Sequence, residues 1–179
     1  MRVMLGITGA SGAPYAARVL RALADADAEV GLVASQAGRQ VIALEIYGDR
    51  AMDGTEALER FVADHGNPSM RIWGEKDYSA PYASGSSRTD AVVVCPCSMA
   101  SIGTIVAGAE ANLIHRAAGV QLKERRKLVL VPRETPLSSI HLENLLRIRN
   151  AGADVVAAMP GFYHLPQTID DLWTLWPGV

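Results

Sequence analysis

The chain has 179 residues, 49% hydrophobic and 20% charged, with a formal net charge of −2. That length fits one domain over 1–179 with a proper core, and the charge balance excludes a nucleic-acid binder, which carries a basic face. No run of about 18 apolar residues predicts a membrane span, and the N-terminus lacks the charged, apolar and cleavage regions of a signal peptide, so a cytoplasmic protein is expected.

The elements follow in chain order. An apolar run over Val3–Ile7 predicts the first strand. It feeds into Gly6-Ile7-Thr8-Gly9-Ala10-Ser11-Gly12-Ala13-Pro14, a glycine-rich turn of the kind that points backbone N–H groups at a phosphate. Its match to G-x-G-x-x-G is partial. A helix over Pro14–Ala24 follows, with Tyr15, Val19, Leu20 and Leu23 at helical spacing. A strand at Glu29–Ala34 precedes a helix at Gln36–Tyr47 that Ser35 is placed to cap, and Glu56–His65 reads as a further helix. Asn67–Arg88 is the least regular segment, with Asn67-Pro68, Ala80-Pro81 and Ala83-Ser84-Gly85-Ser86-Ser87, and reads as an ordered loop or a small excursion. Beyond it come a strand at Ala91–Cys95, helices at Ser98–Ala107 and Leu113–Lys123, and a strand at Lys127–Val131. A helix at Ile140–Ala151, stopped by Gly152, precedes a last strand at Asp154–Ala158. Strands apolar on both faces, alternating with helices, predict an α/β layered fold with a parallel sheet and right-handed crossovers.

In such sheets ligands collect beyond the carboxyl ends of the strands. Those ends carry Thr8-Gly9-Ala10-Ser11, Ser35, Pro96-Cys97-Ser98-Met99-Ala100-Ser101, Pro132-Arg133-Glu134-Thr135-Pro136 and Met159-Pro160-Gly161-Phe162-Tyr163. Hydroxyls and one cation beside a carboxylate suit a phosphorylated cofactor with one titratable group left for chemistry. A nicotinamide dinucleotide fits poorly, because Val33-Ala34-Ser35 offers no acid for its ribose, and the nucleoside triphosphate motif G-x-x-x-x-G-K-[ST] is absent. A mononucleotide such as FMN needs only one phosphate cradle and one flat apolar slot. Cys95 and Cys97 have neither disulfide-scaffold nor zinc spacing and read as buried thiols, and no metal is expected. Adjacent Arg133 and Glu134 read either as a surface ion pair or, after a Val-rich strand, as functional groups. Lys123-Glu124-Arg125-Arg126-Lys127 is a charge run at a helix end, and Arg116 lies seven residues before Lys123, so the two cations can share one helix face and grip a second phosphate. Glu45, among Val41, Ile42, Leu44 and Ile46, reads as a polar-face residue.

Taken together, several motifs resemble the UbiX family of flavin prenyltransferases. They are Gly9-Ala10-Ser11-Gly12, Ala83-Ser84-Gly85-Ser86, Pro96-Cys97-Ser98-Met99, Asn112 to Ala118 and Leu122 to Arg126. Val131 to Pro136, Ile140 to Asn144 and Pro160-Gly161-Phe162-Tyr163 extend the resemblance over nearly the whole chain, in order. It implies a three-layer α/β/α flavoprotein-like (Rossmann-like) fold with a mainly parallel sheet, assembled as a homododecamer built from trimers. It implies reduced FMN as acceptor, dimethylallyl monophosphate as donor, and prenylated FMN as a product delivered to UbiD-type decarboxylases. The family's FMN contacts fall on Gly9, Ala10, Ser11, Ser35, Ser98, Met99, Ala100, Ser101 and Arg133; its prenyl-phosphate contacts fall on Ser84, Arg116, Lys123 and Tyr163. Glu45 and Glu134 match acidic residues of a catalytic pocket where subunits meet, with Glu134 shuttling protons, Ser11 positioning the leaving phosphate, and Lys123 stabilising it.

One stretch departs from the family pattern, in which a basic residue follows the Phe-Tyr-x-x-Pro segment on a longer helix. Here no Arg or Lys follows Arg149, so either the chain is truncated or the donor phosphate is held by one cation fewer, at a cost of about 1.5–3 kcal/mol in binding. Trp173 and Trp176 read as plugs of a hydrophobic groove. Two competing readings are a related FMN-dependent cysteine decarboxylase, whose Asn-bearing motifs are missing at Pro96-Cys97-Ser98-Met99 and Met159-Pro160-Gly161, and a non-catalytic FMN-binding module.

Overall fold

The central strands are apolar on both faces because helices cover both. The computed structural model describes residues 1–162, 165–168 and 171–172. It runs β1 (Arg2–Ile7), α1 (Ala13–Asp25), β2 (Glu29–Ala34), α2 (Gln36–Tyr47), α3 (Gly54–His65) and β3 (Arg71–Trp73), then a 3-10 turn at Pro81–Ala83. Next come β4 (Ala91–Cys97), α4 (Met99–Val106), α5 (Leu113–Lys123), β5 (Lys127–Pro132), α6 (Ser139–Asn150) and β6 (Asp154–Val155). The strands form one six-stranded sheet in the order β3-β2-β1-β4-β5-β6, and every pairing is parallel.

The period of two along each strand divides the core. Val3, Leu5 and Ile7 of β1 point to one face, where they pack with Leu20 of α1, Ile42 of α2 and Leu58 and Phe61 of α3. Met4, Val92, Val94, Leu128 and Leu130 point to the other, against Ile102 of α4, Ile114 of α5 and Ile148 of α6. The result is the expected three-layer α/β/α sandwich. Cys95 and Cys97 fall one in each cluster, both free and buried. Burial pushes the Cys97 thiol up to about 12 and raises Cys95 as well, so both stay protonated near neutral pH.

The strand order reverses between β1 and β4, so the crevice lies beyond their carboxyl ends. Close packing brings α2 to the same edge. A Cβ on Gly38, in the first turn of α2, would lie 2.4 Å from the Ile7 carbonyl oxygen at the end of β1. Only hydrogen fits there.

The structure departs from the sequence expectation at the two sheet edges. Within the irregular segment 67–88, Arg71–Trp73 forms the short edge strand β3, in register with Gly31, Leu32 and Val33 of β2. Three residues show no period to read. At the other edge the expected strand Asp154–Ala158 is regular only over Asp154–Val155, although Val156 N–H and Ala158 N–H still donate to the Leu130 and Pro132 carbonyls at 2.9 and 3.0 Å.

Gly38→Ala is expected to lower stability by about 1–3 kcal/mol, because the extra carbon meets backbone rather than a yielding side chain. Chemical denaturation checks this; an unchanged midpoint would show that the β1–α2 contact is looser than described.

Candidate active site

The crevice is built on one buried hydroxyl. Thr8, just past β1, donates through Oγ1 to the Pro96 carbonyl at 2.9 Å and accepts from Ser98 N–H at 2.7 Å. Its own N–H donates to the same carbonyl at 3.2 Å. These bonds stitch the β1–α1 loop to the start of α4. Ser98 is the N-cap of α4: its Oγ accepts from Ser101 N–H at 3.2 Å and donates to Ser101 Oγ at 3.1 Å. Met99 sends its side chain into the core, so only its backbone faces the crevice. The first-turn N–H groups of Met99 and Ala100 have no intrahelical acceptor, as at any helix start, and point at whatever anion lies there.

Serine caps α2 in the same way. Ser35 Oγ accepts from Gly38 N–H at 3.0 Å, and Ser35 N–H donates to the Ile7 carbonyl at 2.9 Å. Helix α1 differs. Its N-cap is Gly12, with φ at 128°, which has no side chain to offer. The half-buried Glu45 of α2 takes that place: its Oε2 accepts from both Gly12 N–H and Ala13 N–H at 2.8 Å. A carboxylate at the positive end of a helix is favourable. This corrects the reading of the glycine-rich turn as a phosphate cradle on α1. The chain's own carboxylate already fills that position, with Gly9, Ala10 and Ser11 upstream of the cap.

Arg133 closes the other side. Its Nε donates to the Ser11 carbonyl at 3.0 Å, which aims the guanidinium across the crevice from the end of β5. Glu134 is exposed, and its Oε1 accepts from Thr135 N–H at 3.0 Å. The two adjacent charges therefore turn apart instead of forming the surface pair their sequence also allowed. Gly9, Ala10, Ser11, Ser35, Glu45, Ser98, Met99, Ala100, Ser101, Arg133 and Glu134 all lie along the carboxyl edge of the sheet.

The other expected contacts lie elsewhere. Ser84 shares a hydrogen bond with Ser86 at 2.8 Å, in a loop clamped by Arg126, whose nitrogens donate to the Gly85 and Ser87 carbonyls at 2.9 and 3.1 Å. Arg126 immediately precedes β5, so this loop lies at the amino edge of the sheet. Lys123 is there too, at the end of α5, donating to Glu124 and holding that carboxyl below the ordinary range. Arg116, two turns earlier, donates through Nε to the Ala83 carbonyl at 2.8 Å and pairs with Glu110. Strand β5 separates Lys123 from Arg133, a span of about 20 Å for six residues. Arg116 and Lys123 both border the loop 83–87, one at the Ala83 carbonyl and the other beside Gly85, and each already faces a carboxylate. Tyr163, Trp173 and Trp176 lie outside the described residues.

Sequence reasoning passed over Glu110 and gave Thr8 and Arg126 no separate role. Thr8 stood inside the glycine-rich turn without any mark of its stitching role, and Arg126 stood in a charge run that reads as a solvated helix end. Among the described residues no group of His, Cys, Asp and Glu is arranged to hold a metal ion, and no helix is long and apolar enough to cross a membrane.

The flavoprotein family model matches residues 1–172. A flavin prenyltransferase UbiX of Pseudomonas aeruginosa is 47% identical over 175 residues, covering 96% of this chain and 83% of that protein. A dodecameric FMN-dependent UbiX-like decarboxylase from Escherichia coli O157:H7 superposes with a TM-score of 0.84 at 42% identity, covering 97% of this chain and 88% of that one. A second structure, AnUbiX (PadA1) in complex with FMN and dimethylallyl pyrophosphate, superposes with a TM-score of 0.83 at 37% identity, covering 97% and 86%.

Glu45→Ala is expected to cost about 0.5–2 kcal/mol of stability, the range for losing a helix cap. Denaturant midpoints of the two proteins check it; equal midpoints would show that the carboxylate adds nothing at the start of α1.

Proposed function

Because this chain belongs to the flavoprotein family and, within it, to the UbiX flavin prenyltransferases, we propose that it transfers a dimethylallyl group from dimethylallyl monophosphate to reduced FMN. The product, prenylated FMN, serves UbiD-type decarboxylases. The observation that carries this reading is the crevice between β1 and β4. It offers serine hydroxyls and first-turn N–H groups of α4 on one side and Arg133 on the other, and it has no acid after β2 to take a dinucleotide's ribose. That set fits a mononucleotide phosphate.

Reduced FMN supplies the N5 and C6 atoms on which the new bonds form. The chain's residues hold and orient it. Ser98, Ser101 and the N–H groups of Met99 and Ala100 take the FMN phosphate, with Arg133 as its counter-ion and Gly9, Ala10, Ser11 and Ser35 closing around it. Lys123 and Arg116 bind the donor's phosphate, and Ser84 adds a hydroxyl. As the ester C–O bond loosens, these cations meet the growing negative charge in a fixed arrangement, which lowers the barrier. Glu134, free of any ion pair with Arg133, accepts the proton released as the ring closes and returns it to the departing phosphate. Glu45 holds the loop that carries Ser11, which positions that phosphate. Tyr163 completes the donor contacts.

Ser84 and Lys123 lie at the amino edge of the sheet and the FMN crevice at its carboxyl edge in one chain, which supports a site completed between subunits. The donor residues of one subunit meet the FMN crevice of another. Two further features favour assembly: Ile140, Leu142 and Leu146 of α6 expose apolar side chains, and a relative is described as dodecameric. The cysteine decarboxylase reading is not favoured, given the level of identity to prenyltransferases over nearly the whole chain.

Anaerobic incubation with reduced FMN and dimethylallyl monophosphate, followed by mass spectrometry of the released flavin, is expected to show a mass gain of one prenyl unit. An unchanged flavin in the presence of both reactants would overturn the assignment. Glu134→Gln is expected to retain FMN binding and to slow prenylation by about 100-fold or more, the usual loss for a general acid–base group. Equal rates would remove Glu134 from that role. Lys123→Ala is expected to raise the donor KM by at least about tenfold with FMN affinity unaltered. A change confined to FMN would reassign Lys123.

A further inference from the structure

Arg116 already has a partner of its own. Its Nη1 donates to both carboxylate oxygens of Glu110, at 2.7 and 2.8 Å, while its Nε holds the Ala83 carbonyl at 2.8 Å. Glu110 sits in the connection between α4 and α5, and the backbone around it is pinned. Tyr78 Oη donates to the Glu110 carbonyl at 3.4 Å, Lys76 Nζ to the Ala111 carbonyl at 2.5 Å, and Leu113 N–H to the Glu75 carbonyl at 2.8 Å. The carboxylate alone is left to move.

Gly119 adds a second, independent observation. It lies on the face of α5 that carries Arg116, one turn further on. A glycine inside a helix is destabilising relative to alanine. Among the described residues, setting aside its chain neighbours and the nearby backbone of α5, the nearest atom to a Cβ built there is Glu110 Oε1, at 3.6 Å. That distance is an ordinary van der Waals contact, so the Glu110 carboxylate lies against this face of α5, beside Arg116.

We propose that Glu110 is a positioning residue that occupies the Arg116 guanidinium until a donor phosphate displaces it, and so sets donor affinity and selects for a doubly charged phosphate head group. This rests on the assignment of Arg116 to the donor phosphate. The exchange is one anion for another. The Nε–Ala83 bond stays as a pivot, and the remaining guanidinium nitrogens form the bidentate fork that phosphate oxygens match. The released carboxylate, 44% exposed on its side chain even when paired, regains water readily. A dianionic phosphate outcompetes it, whereas a singly charged or neutral head group does so poorly.

The test compares the full-length protein with Glu110→Gln, which keeps volume and removes charge. Steady-state prenylation is expected to show the donor KM falling about three- to tenfold, with kcat moving less than KM. A KM that stays the same or rises in an active variant overturns the proposal. If neither protein prenylates FMN, the proposed function fails, and inorganic phosphate binding measured by calorimetry decides the present inference separately. Tighter phosphate binding by Glu110→Gln that is lost in the double variant Glu110→Gln, Arg116→Ala supports it. Equal affinity in wild type and Glu110→Gln, or a gain that survives loss of Arg116, overturns it.

Discussion

The architecture of the site depends on the buried hydroxyl of Thr8 between the ends of β1 and β4. These two strands border the reversal of strand order, where a parallel sheet leaves a gap between diverging loops. A single side chain bonds both the carbonyl of Pro96 and the N–H of Ser98, so the glycine-rich turn and the start of α4 hold a fixed mutual position. The serine cap of α4, the approach of α2 to Ile7 and the reach of Arg133 to the Ser11 carbonyl are all set relative to that stitch. The hydroxyl and N–H donors at the start of α4 are thus held in fixed orientation by the protein itself.

Three carboxylates each satisfy exposed donors or a cation of the chain itself. Glu45 covers the bare start of α1, Glu110 covers Arg116, and Glu124 covers Lys123. At Arg116 and Lys123 these acids stand where the proposed function puts the donor phosphate. The start of α4 has no such acid; serine hydroxyls cap it and leave room for an anion. The same helix-end physics therefore marks two kinds of position, one closed by the protein and one open to a ligand.

Much of the scaffold was legible in advance. The bounds of β2, α2 and α5 coincide with the patterns that announced them, because buried parallel strands read as unbroken apolar runs and caps such as Ser35 mark helix starts. The edge strand β3 escaped, since Arg71, Ile72 and Trp73 are too few to show alternation. Ser98, Ser35 and Arg133 were legible as residues of the carboxyl edge for a topological reason: strand ends gather in parallel sheets whatever the sequence between them. Glu110 and Thr8 were not, because their roles lie in partners distant along the chain.

What the sequence determined by itself is the order of the elements, the split of apolar residues between two faces and the set of groups at each strand end. These follow from local periodicity and from the short range of turns and caps. Only the tertiary structure decided that Glu45 reaches across from α2 to cap α1, that Arg133 and Glu134 turn away from each other, and that Ser84 and Lys123 lie at the far edge from the crevice. Each of these is a relation between elements packed side by side. Such contacts form over about 3 Å between residues far apart along the chain, a relation that local periodicity does not record.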